Sequence, residues 1–458
     1  MISLPNLSAF GAVLSGVLAA TSFAADGASW PAWRGLSGAG IAGDAQPPTT
    51  WSEQKNIRWK TKIPGYGFST PIVWGDRIFL LSAIATNEEG AGAPAAAPAP
   101  GGEAQGRAGK RAGGFVGEPA PTKVHEFVVV AINRKTGEIG WQRTARREVP
   151  HEGKHQTNSF ASGSPVTDGE RLYVPFGSRG FYCYDLQGNL QWEKDLGVMR
   201  SRLGFGEGAS PVLAGGLLLI KWDHEAQSCI VALDKKTGVE VWRTNRDEIT
   251  SWSTPLVVEV GGGLQAIVTA SKRTRSYDAA TGELIWEASG LTSNVIPTPV
   301  AGHGMVYVMS GYGGNSIQAI KLSSRGDVSG TDNIVWSVRR SAPYVASPVL
   351  SGDRLYMHKS FEAVLSCLNA RTGEVHYQDQ ALPELRAAGQ SIYASPLAAN
   401  GHLYVVGREG VVMVLKDAAN FEVVATNKLG DRIDASPVMV DKELFLRGHD
   451  YLYCIAEG

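Results

Sequence analysis

Eight Ser/Thr-Pro dipeptides recur along the chain, and their spacing constrains the fold more than any other feature. They are Thr70-Pro71, Ser164-Pro165, Ser210-Pro211, Thr254-Pro255, Thr298-Pro299, Ser347-Pro348, Ser395-Pro396 and Ser436-Pro437. From Pro165 onward the prolines are 46, 44, 44, 49, 48 and 41 residues apart. One interval reads as four short strands bounded by turns, namely TPLVVEV, QAIVTA, TRSYDA and ELIW. This period predicts an all-β, eight-bladed β-propeller of four-stranded antiparallel blades.

The two ends of the chain complement each other in this repeat pattern. The eighth repeat stops before a fourth strand, whereas Ile57-Arg58-Trp59 carries the strand pattern of a repeat end and precedes the first blade. Pairing this N-terminal strand with the C-terminal blade would close the ring and leave no open edge at the join. Four repeats also end on a Thr-Gly turn followed by an aromatic residue. The Gly permits the tight turn, and we expect the aromatic residue to pack on the neighbouring blade.

One repeat end carries a recognisable docking motif. Ala232, Asp234, Thr237, Gly238 and Trp242 match the pattern Ala-x-Asp-x-x-Thr-Gly-x-x-x-Trp position for position. In this the chain resembles the quinoprotein-like (PQQ-repeat) β-propeller family over about residues 56–458. That family includes pyrroloquinoline-quinone (PQQ) alcohol and sugar dehydrogenases, exported PQQ-binding-like propellers, and a non-catalytic propeller lipoprotein that assists outer-membrane barrel assembly. Because the motif belongs to the scaffold, the resemblance implies the fold and leaves the activity open.

Two segments lie before the propeller repeats. Residues 1–24 are predicted to be a signal peptide, because their apolar run is too short to span a bilayer and Ser22-Phe23-Ala24 suits cleavage. An uncleaved anchor is the alternative. The sequence thus predicts a soluble periplasmic or extracellular protein with no membrane span after cleavage. Residues 25–55 form a Gly/Pro-rich arm, and we expect Trp30, Trp33 and Trp51 to lie along the outside and staple the closing strand.

Composition adds three expectations. Residues 87–122 are rich in Ala, Gly and Pro and are predicted to be a disordered insertion in blade one. The formal net charge of −1 argues against nucleic-acid binding over the whole surface. The four cysteines fall in or near the third strands of different blades, so they predict buried apolar positions rather than a disulfide framework. They are Cys183, Cys229, Cys367 and Cys454. We expect a monomer.

Propeller geometry gathers scattered residues on one face. The first strand of each blade lines the channel, and the fourth-to-first and second-to-third connections emerge on the same side. Aromatic residues leading into the first strands include Tyr66, Phe68, Phe160, Phe205, Trp252, Tyr344 and Tyr393. They could sandwich a planar ligand, or they could fill the channel mouth as a core. The candidate ligand-binding aromatics are Phe68, Trp252, Tyr344 and Tyr393.

The second-to-third connections add polar groups to this face. They contribute Arg179, His224, Arg273, Tyr312, Lys359, Arg408 and His449. Arg179, Arg273, Lys359 and Arg408 could form a basic rim that holds an anionic ligand. The alternative is that they are solvated hairpin tips.

One cluster has the residue types of a metal site. The HEGKH segment supplies His151, Glu152 and His155, and the WDHE segment supplies Asp223, His224 and Glu225 on the adjacent blade. Imidazoles and carboxylates together can ligate a divalent ion. A hydrogen-bonded loop network is the alternative, since the sequence has no HExxH motif.

The resemblance allows more than one function. PQQ dehydrogenases of this family carry adjacent disulfide-bonded cysteines and a calcium site, and quinohaemoproteins carry a CxxCH motif; this sequence has neither cysteine pattern. Asp223, Asp434 and Asn294 offer suitable side chains for calcium, but no motif selects them. We therefore expect a non-catalytic binding or scaffolding protein of the cell envelope, with an envelope protein or a small molecule as partner and no firm cofactor. The alternatives are a PQQ- and calcium-dependent alcohol or sugar dehydrogenase, with the quinone held by Arg273 and Arg408, and a carbohydrate- or peptide-binding module.

Overall fold

The computed structural model describes residues 29–90, 117–389 and 391–457. The predicted signal peptide lies outside the described residues, as do residues 91–116 of the predicted insertion. Within the described ranges, no helix has both the length and the apolar character that crossing a bilayer requires.

Strands from the described residues form eight sheets with four principal antiparallel strands each, which confirms the predicted propeller. Strand β1, Ile57–Lys62, precedes the blades. Blade one comprises β2 Ile72–Trp74, β3 Arg77–Glu89, β4 Lys123–Asn133 and β5 Ile139–Glu148. Blade two comprises β6 Val166–Thr167, β7 Arg171–Pro175, β8 Phe181–Asp185 and β9 Leu190–Lys194. Blade three comprises β10 Val212–Ala214, β11 Leu217–Trp222, β12 Ser228–Asp234 and β13 Glu240–Arg246. Blade four comprises β14 Leu256–Val260, β15 Gly263–Val268, β16 Thr274–Asp278 and β17 Leu284–Ala288.

The second half of the ring continues the pattern. Blade five comprises β18 Val300–Gly302, β19 Met305–Ser310, β20 Ser316–Lys321 and β22 Ile334–Val338, with a short extra strand, β21 Gly326–Asp327, in its last turn. Blade six comprises β23 Val349–Ser351, β24 Arg354–His358, β25 Val364–Asn369 and β26 Val375–Ala381. Blade seven comprises β27 Leu397–Ala399, β28 His402–Val406, β29 Val411–Lys416 and β30 Val423–Lys428. Blade eight comprises β31 Val438–Val440, β32 Glu443–Arg447 and β33 Tyr451–Ile455. Two 3₁₀ turns, Gly177–Arg179 and Arg202–Gly204, and helix α1, Pro383–Ala387, lie in the connections.

The ring closes as predicted from its two ends. Strand β1 pairs antiparallel with β33, and Trp59 lies opposite Cys454. Arg58 on β1 and Arg134 of blade one both form ion pairs with Glu443 of blade eight. The first and last parts of the propeller are therefore joined by main-chain hydrogen bonds and by a shared carboxylate.

Five of the tryptophans at repeat ends dock on the next blade in the same way. The indole N–H groups of Trp59, Trp141, Trp192, Trp242 and Trp336 donate to backbone carbonyls there at 2.8–3.2 Å. The Thr-Gly turn of the next blade lies against the indole, so a Cβ on Gly282 would be 2.5 Å from Trp242. Trp286 differs, because blade five lacks this turn. Strand β21 instead pairs alongside β17, and Val328 shares a buried cluster with Trp286.

The eight Ser/Thr residues that precede proline form a hydroxyl ring around the channel. The backbone N–H of each donates to the hydroxyl oxygen of the equivalent residue in the next blade at 2.8–3.3 Å, and Ser436 completes the circle by donating to Thr70. The Pro that follows each of them has no N–H to donate. The dipeptide that sets the repeat spacing is therefore also the contact that links neighbouring inner strands.

The expectation that the whole arm lies along the outside is wrong. Trp30 pairs with Val73 in β2, and Ile41 pairs with Ala398 in β27, so the arm runs beside inner strands of the channel. Trp30 is buried. Its indole shares a buried apolar cluster with Val73 of β2 and Val440 of β31, where burial of an aromatic ring is favourable.

The arm turns inside the channel and then leaves it. At the turn, the Arg34 guanidinium donates to the carbonyl oxygens of Pro348 and Pro396, which begin the inner strands of blades six and seven. Burial lowers the pKa of Arg34 to about 9. Only the end of the arm reaches the outer side, where the backbone N–H of Trp51 donates to the side-chain oxygen of Asn427 in β30 at 2.7 Å. The arm therefore connects the channel to the outer strands of the closing blades.

The cysteines occupy the predicted positions. Cys183, Cys229, Cys367 and Cys454 lie in β8, β12, β25 and β33, the third strands of their blades, and all four are buried. Burial raises the pKa of the Cys183 thiol to about 12, which makes it unreactive as a thiolate at neutral pH.

Candidate functional site

A cavity of about 360 Å³ lies at the mouth of the channel, and we call it the channel-mouth cavity. Its wall contains the aromatic residues Trp33, Phe68, Phe205, Trp252, Tyr312, Tyr344, Phe361 and Tyr393. Six members of the hydroxyl ring lie lower in the wall, namely Thr70, Ser164, Ser210, Thr254, Ser395 and Ser436. The volume is in the range of small-molecule sites, and the mixture of aromatic and hydroxyl groups is typical of them.

The structure places the four candidate aromatics, Phe68, Trp252, Tyr344 and Tyr393, in this wall. Two other channel-face aromatics lie behind it. Tyr66 packs edge-on against Phe68 at 5.0 Å between ring centroids, and Phe160 packs against His125 at 5.2 Å. The aromatic residues therefore surround an open space, with a second layer supporting the first.

Two aromatic wall residues, Phe361 and Trp33, were not predicted from the sequence. Phe361 lies in the second-to-third connection of blade six, and the rule that pointed to Tyr312 would have found it. Trp33 belongs to the arm, and no local pattern indicated that the arm enters the channel. It lies next to the turn that Arg34 anchors.

Aromatic pairs form an arc on the side of blades five to seven. Tyr312 stacks on Tyr344 with ring centroids 4.9 Å apart, and Phe361 stacks on Tyr393 at 6.3 Å with an interplanar angle of 16°. Tyr312 and Phe361 are 43% and 40% exposed, so their faces are accessible. Across the cavity, the Trp252 indole is held by a 2.7 Å hydrogen bond to the carbonyl oxygen of Gly206.

The channel-mouth cavity has little charge. Its wall contains Asp434, which is already bound by Arg408 at 3.0 Å and by His449 Nε2 at 2.8 Å. Arg408 also stacks over the Tyr393 ring at 4.8 Å. Burial lowers the pKa of His155, so this wall imidazole is neutral at pH 7. No Lys or Arg side chain is among the described residues of the wall.

The four candidate basic residues do not form one anion-binding rim. Arg179 pairs with Glu207 at 2.9 Å, Arg273 with Asp327 at 2.7 Å, and Lys359 lies 4.0 Å from Asp379. Arg408 pairs with Asp434. Each cation thus has a carboxylate neighbour of its own.

The candidate metal ligands also do not all converge. His155 Nδ1 bonds the Thr157 hydroxyl at 2.7 Å, and the His224 ring bonds backbone groups of Arg200 and Gln227. Asp223 forms a fully buried ion pair with Arg246 at 2.8 Å, and Glu225 accepts from Thr250 at 2.7 Å. These four residues therefore belong to a hydrogen-bonded loop network, which was the alternative to a metal site. Within the described ranges, the one group of three potential ligands is His151, Glu152 and Glu207.

Comparisons with known proteins agree with this architecture. The sequence matches the family model described as outer membrane protein assembly factor BamB over residues 125–248 and 225–457. No curated protein matches it. Among solved structures, a europium-containing methanol dehydrogenase is 10% identical, with 92% of this chain and 89% of that chain covered and a TM-score of 0.61.

Two further solved structures are similar. The quinohemoprotein alcohol dehydrogenase ADHIIG from Pseudomonas putida HK5 is 10% identical, covers 93% of this chain and 80% of its own, and has a TM-score of 0.56. BamB from Moraxella catarrhalis is 14% identical, covers 72% and 88%, and has a TM-score of 0.49. At these identities the structural likeness shows the fold alone. Because the family model spans well over half of the sequence, the chain belongs to the PQQ-like propeller family that is described by outer membrane protein assembly factor BamB.

Proposed function

We propose that this protein is an exported, non-catalytic binding protein of the cell envelope, and that the channel-mouth cavity takes an uncharged ligand with a flat or ring-shaped face. The observation that carries the proposal is the 360 Å³ cavity with aromatic walls and a hydroxyl ring below them. Aromatic faces bind the apolar faces of sugars and of peptide side chains, and hydroxyl groups satisfy the polar edges.

The polar groups in the wall support the same ligand class. Gln156, Thr157 and Asn158 line one side of the cavity, opposite the Tyr312–Tyr344 pair. Amides and hydroxyls can both donate and accept hydrogen bonds, which suits a ligand with several hydroxyl or amide groups. A saccharide or a short uncharged peptide has this chemistry.

The wall is a poor fit to PQQ, the cofactor of some relatives. PQQ carries three carboxylates, and a buried anion requires paired cations. The described wall residues include no Lys or Arg, and Asp434, an acidic residue of the wall, would face the quinone. The candidate calcium ligands do not gather either, since Asp223 is paired with Arg246 and Asp434 with Arg408 and His449.

Tryptophan fluorescence tests the proposal, because Trp33 and Trp252 both lie in the wall. The protein is titrated with neutral oligosaccharides, with uncharged peptides, and with PQQ in the presence of Ca²⁺. We expect saturable quenching by a neutral ligand and none by PQQ. Tyr344→Ala should weaken this binding by about tenfold, which corresponds to about 1.4 kcal/mol from one lost stacking contact.

Phe421→Ala is the matched control. Phe421 packs against Tyr377 on the outer side of blades six and seven, away from the cavity. Its loss should leave the affinity unchanged. Saturable PQQ binding that Tyr344→Ala abolishes, or dye reduction with an alcohol once PQQ and Ca²⁺ are added, would contradict the proposal.

A further inference from the structure

A smaller cavity of about 50 Å³ lies beside blades two and three, and we call it the side cavity. It shares the wall residues Ser162, Gly208, Ser210 and Trp252 with the channel-mouth cavity. Charged groups that are missing from the larger cavity line this smaller one. A group bound in the side cavity would therefore lie next to the channel mouth.

Three potential metal ligands meet at this place. One ligand atom each from His151, Glu152 and Glu207 lies within 4.8 Å of the others. Bonds of about 2.0–2.4 Å to a central ion span ligand atoms up to about 4.8 Å apart. The histidine and one glutamate precede blade two, whereas Glu207 follows it, so the fold brings together two connections separated by some fifty residues of chain.

His151 is oriented as a metal ligand would be. Its Nε2 lies 2.7 Å from the carbonyl oxygen of Met199, so Nε2 carries the proton and donates it. The other ring nitrogen, Nδ1, has no hydrogen bond to the described residues and is the atom that would bind a metal ion. Metal-binding histidines commonly donate their other N–H to a carbonyl in this way.

The two carboxylates are held in place, and each retains accepting capacity. Glu152 accepts from the hydroxyl and the N–H of Ser201. Glu207 Oε1 accepts from the Ser178 hydroxyl at 2.6 Å and from Arg179 at 2.9 Å, while Oε2 accepts only from the Ser178 N–H at 2.8 Å. An Oε2 lone pair on each glutamate has no donor among the described residues. Anchored carboxylates of this kind are typical of metal sites.

Arg179 supplies an independent observation. It is only 5% exposed, and it lines the side cavity beside Glu207. Its Nε and Nη2 have no hydrogen-bond partner in the described parts of the chain, and Nε lies 3.9 Å from Glu148. Buried guanidinium N–H groups require acceptors. A water or carboxylate bound at an open position of a metal ion would provide one.

We propose that His151, Glu152 and Glu207 bind a divalent transition-metal ion, Zn²⁺ or Mn²⁺, at the wall of the side cavity, which Glu152 and Glu207 line and which His151 adjoins. One imidazole with two carboxylates suits these ions, whereas Ca²⁺ sites are built from oxygen ligands. Two glutamates and one arginine leave this set with a net negative charge, which favours a cation over an anion. The site does not depend on what the channel-mouth cavity binds.

Isothermal titration of chelator-treated protein with Zn²⁺, Mn²⁺ and Ca²⁺ tests the proposal. We expect one Zn²⁺ or Mn²⁺ per chain and weaker binding of Ca²⁺. His151→Gln removes a direct ligand and should weaken Zn²⁺ binding by roughly 100-fold. This is at least as large as the loss that follows from removing a residue that only positions a ligand. The matched control is His376→Gln, which removes an exposed histidine of β26 in blade six, away from both cavities, and should leave the affinity unchanged.

A second readout separates ligand loss from misfolding. Co²⁺ bound in place of Zn²⁺ should give visible absorption bands that change in His151→Gln and in Glu152→Gln, while both variants keep the wild-type Tm in chelator. Binding of less than one ion per chain would overturn the proposal. So would an affinity that His151→Gln leaves intact, or one that falls equally in the control variant His376→Gln.

Discussion

The side chain of Lys221 is buried. Its ammonium group donates to the carbonyl oxygen and hydroxyl of Ser251 at 2.8 and 2.9 Å, and it lines the side cavity. Burial lowers its pKa to about 7, although nearby Asp223 acts in the opposite direction. Over a wide pH range the Lys221 amine is therefore neutral in the folded protein and protonated in the unfolded chain.

This difference predicts a pH-dependent stability. Between about pH 7 and pH 10 the unfolded chain binds the Lys221 proton and the folded chain does not, so the free energy of unfolding rises with pH by up to about 1.4 kcal/mol per unit. In Lys221→Met this contribution should disappear, and the difference from wild type should change with pH in urea denaturation. Lys272→Met removes an exposed lysine and should keep the wild-type slope. A parallel pH profile for Lys221→Met would contradict this assignment.

The hydroxyl ring makes a prediction at a single side chain. The Ser347 hydroxyl accepts the buried N–H of Thr298 at 2.9 Å. Ser347→Ala leaves that N–H without a partner, which should cost about 1–3 kcal/mol of unfolding free energy. Ser347→Thr keeps the hydroxyl, as Thr does at other ring positions, and should cost less. Equal losses in the two variants would show that the hydrogen bond does not stabilise the ring.

At the scale of strands and turns, the tryptophan that ends a repeat packs closely against the turn glycine of the next blade. Gly282 adopts φ +75° against the Trp242 indole, whereas Gly304 adopts φ +73° with no atom within 4 Å of where a Cβ would lie. Both glycines therefore adopt a positive φ, but only Gly282 packs against another side chain.

Comparing Gly282→Ala with Gly304→Ala isolates that contact. Both variants strain a left-handed turn by about 1 kcal/mol. Gly282→Ala must also displace the Trp242 ring, and overpacking of this kind should add about 1–3 kcal/mol. Chemical denaturation of the two variants measures the difference. If both lose the same stability, the indole adjusts freely and the docking is loose.

The hairpins were predictable because their signals are local. Ser/Thr-Pro starts, Thr-Gly turns and alternating strands all act within a few residues of each other, and the four-strand blades follow from them. Strand β21 was not predictable in this way. The long turn of blade five lacks the Thr-Gly pattern, and its pairing with β17 depends on a gap that the missing turn leaves beside Trp286.

The candidate site residues divide in the same way, into positions that follow from local patterns and positions that depend on distant contacts. The wall positions of Phe68, Trp252, Tyr344 and Tyr393 follow from the face on which their connections emerge. The meeting of His151 with Glu207 depends on two irregular connections, and the position of Trp33 depends on where the arm runs. Such contacts between distant segments leave no periodic signal in the chain.

For the whole molecule, the arm has a role that can be measured. It connects the inner strands of blades one, six and seven with the outer strand of blade seven. Deleting residues 29–51 removes the buried Trp30 and Trp51 and should lower the Tm by more than about 5 °C in calorimetry. Trp33→Ala removes only a cavity-wall ring and is the control with a smaller effect. An unchanged Tm after the deletion would show that the propeller is stable without its arm.

The closure through β1 and β33 has a consequence for the order in which the protein is made and folded. Residues 30–62 leave the ribosome early, yet their partners include Ala398, Asn427 and the final strand, Tyr451–Ile455. Such sequence-distant pairing slows folding. Residues 30–62 therefore stay without these partners until Tyr451–Ile455 has been synthesised, which makes closure of the ring a late step of folding.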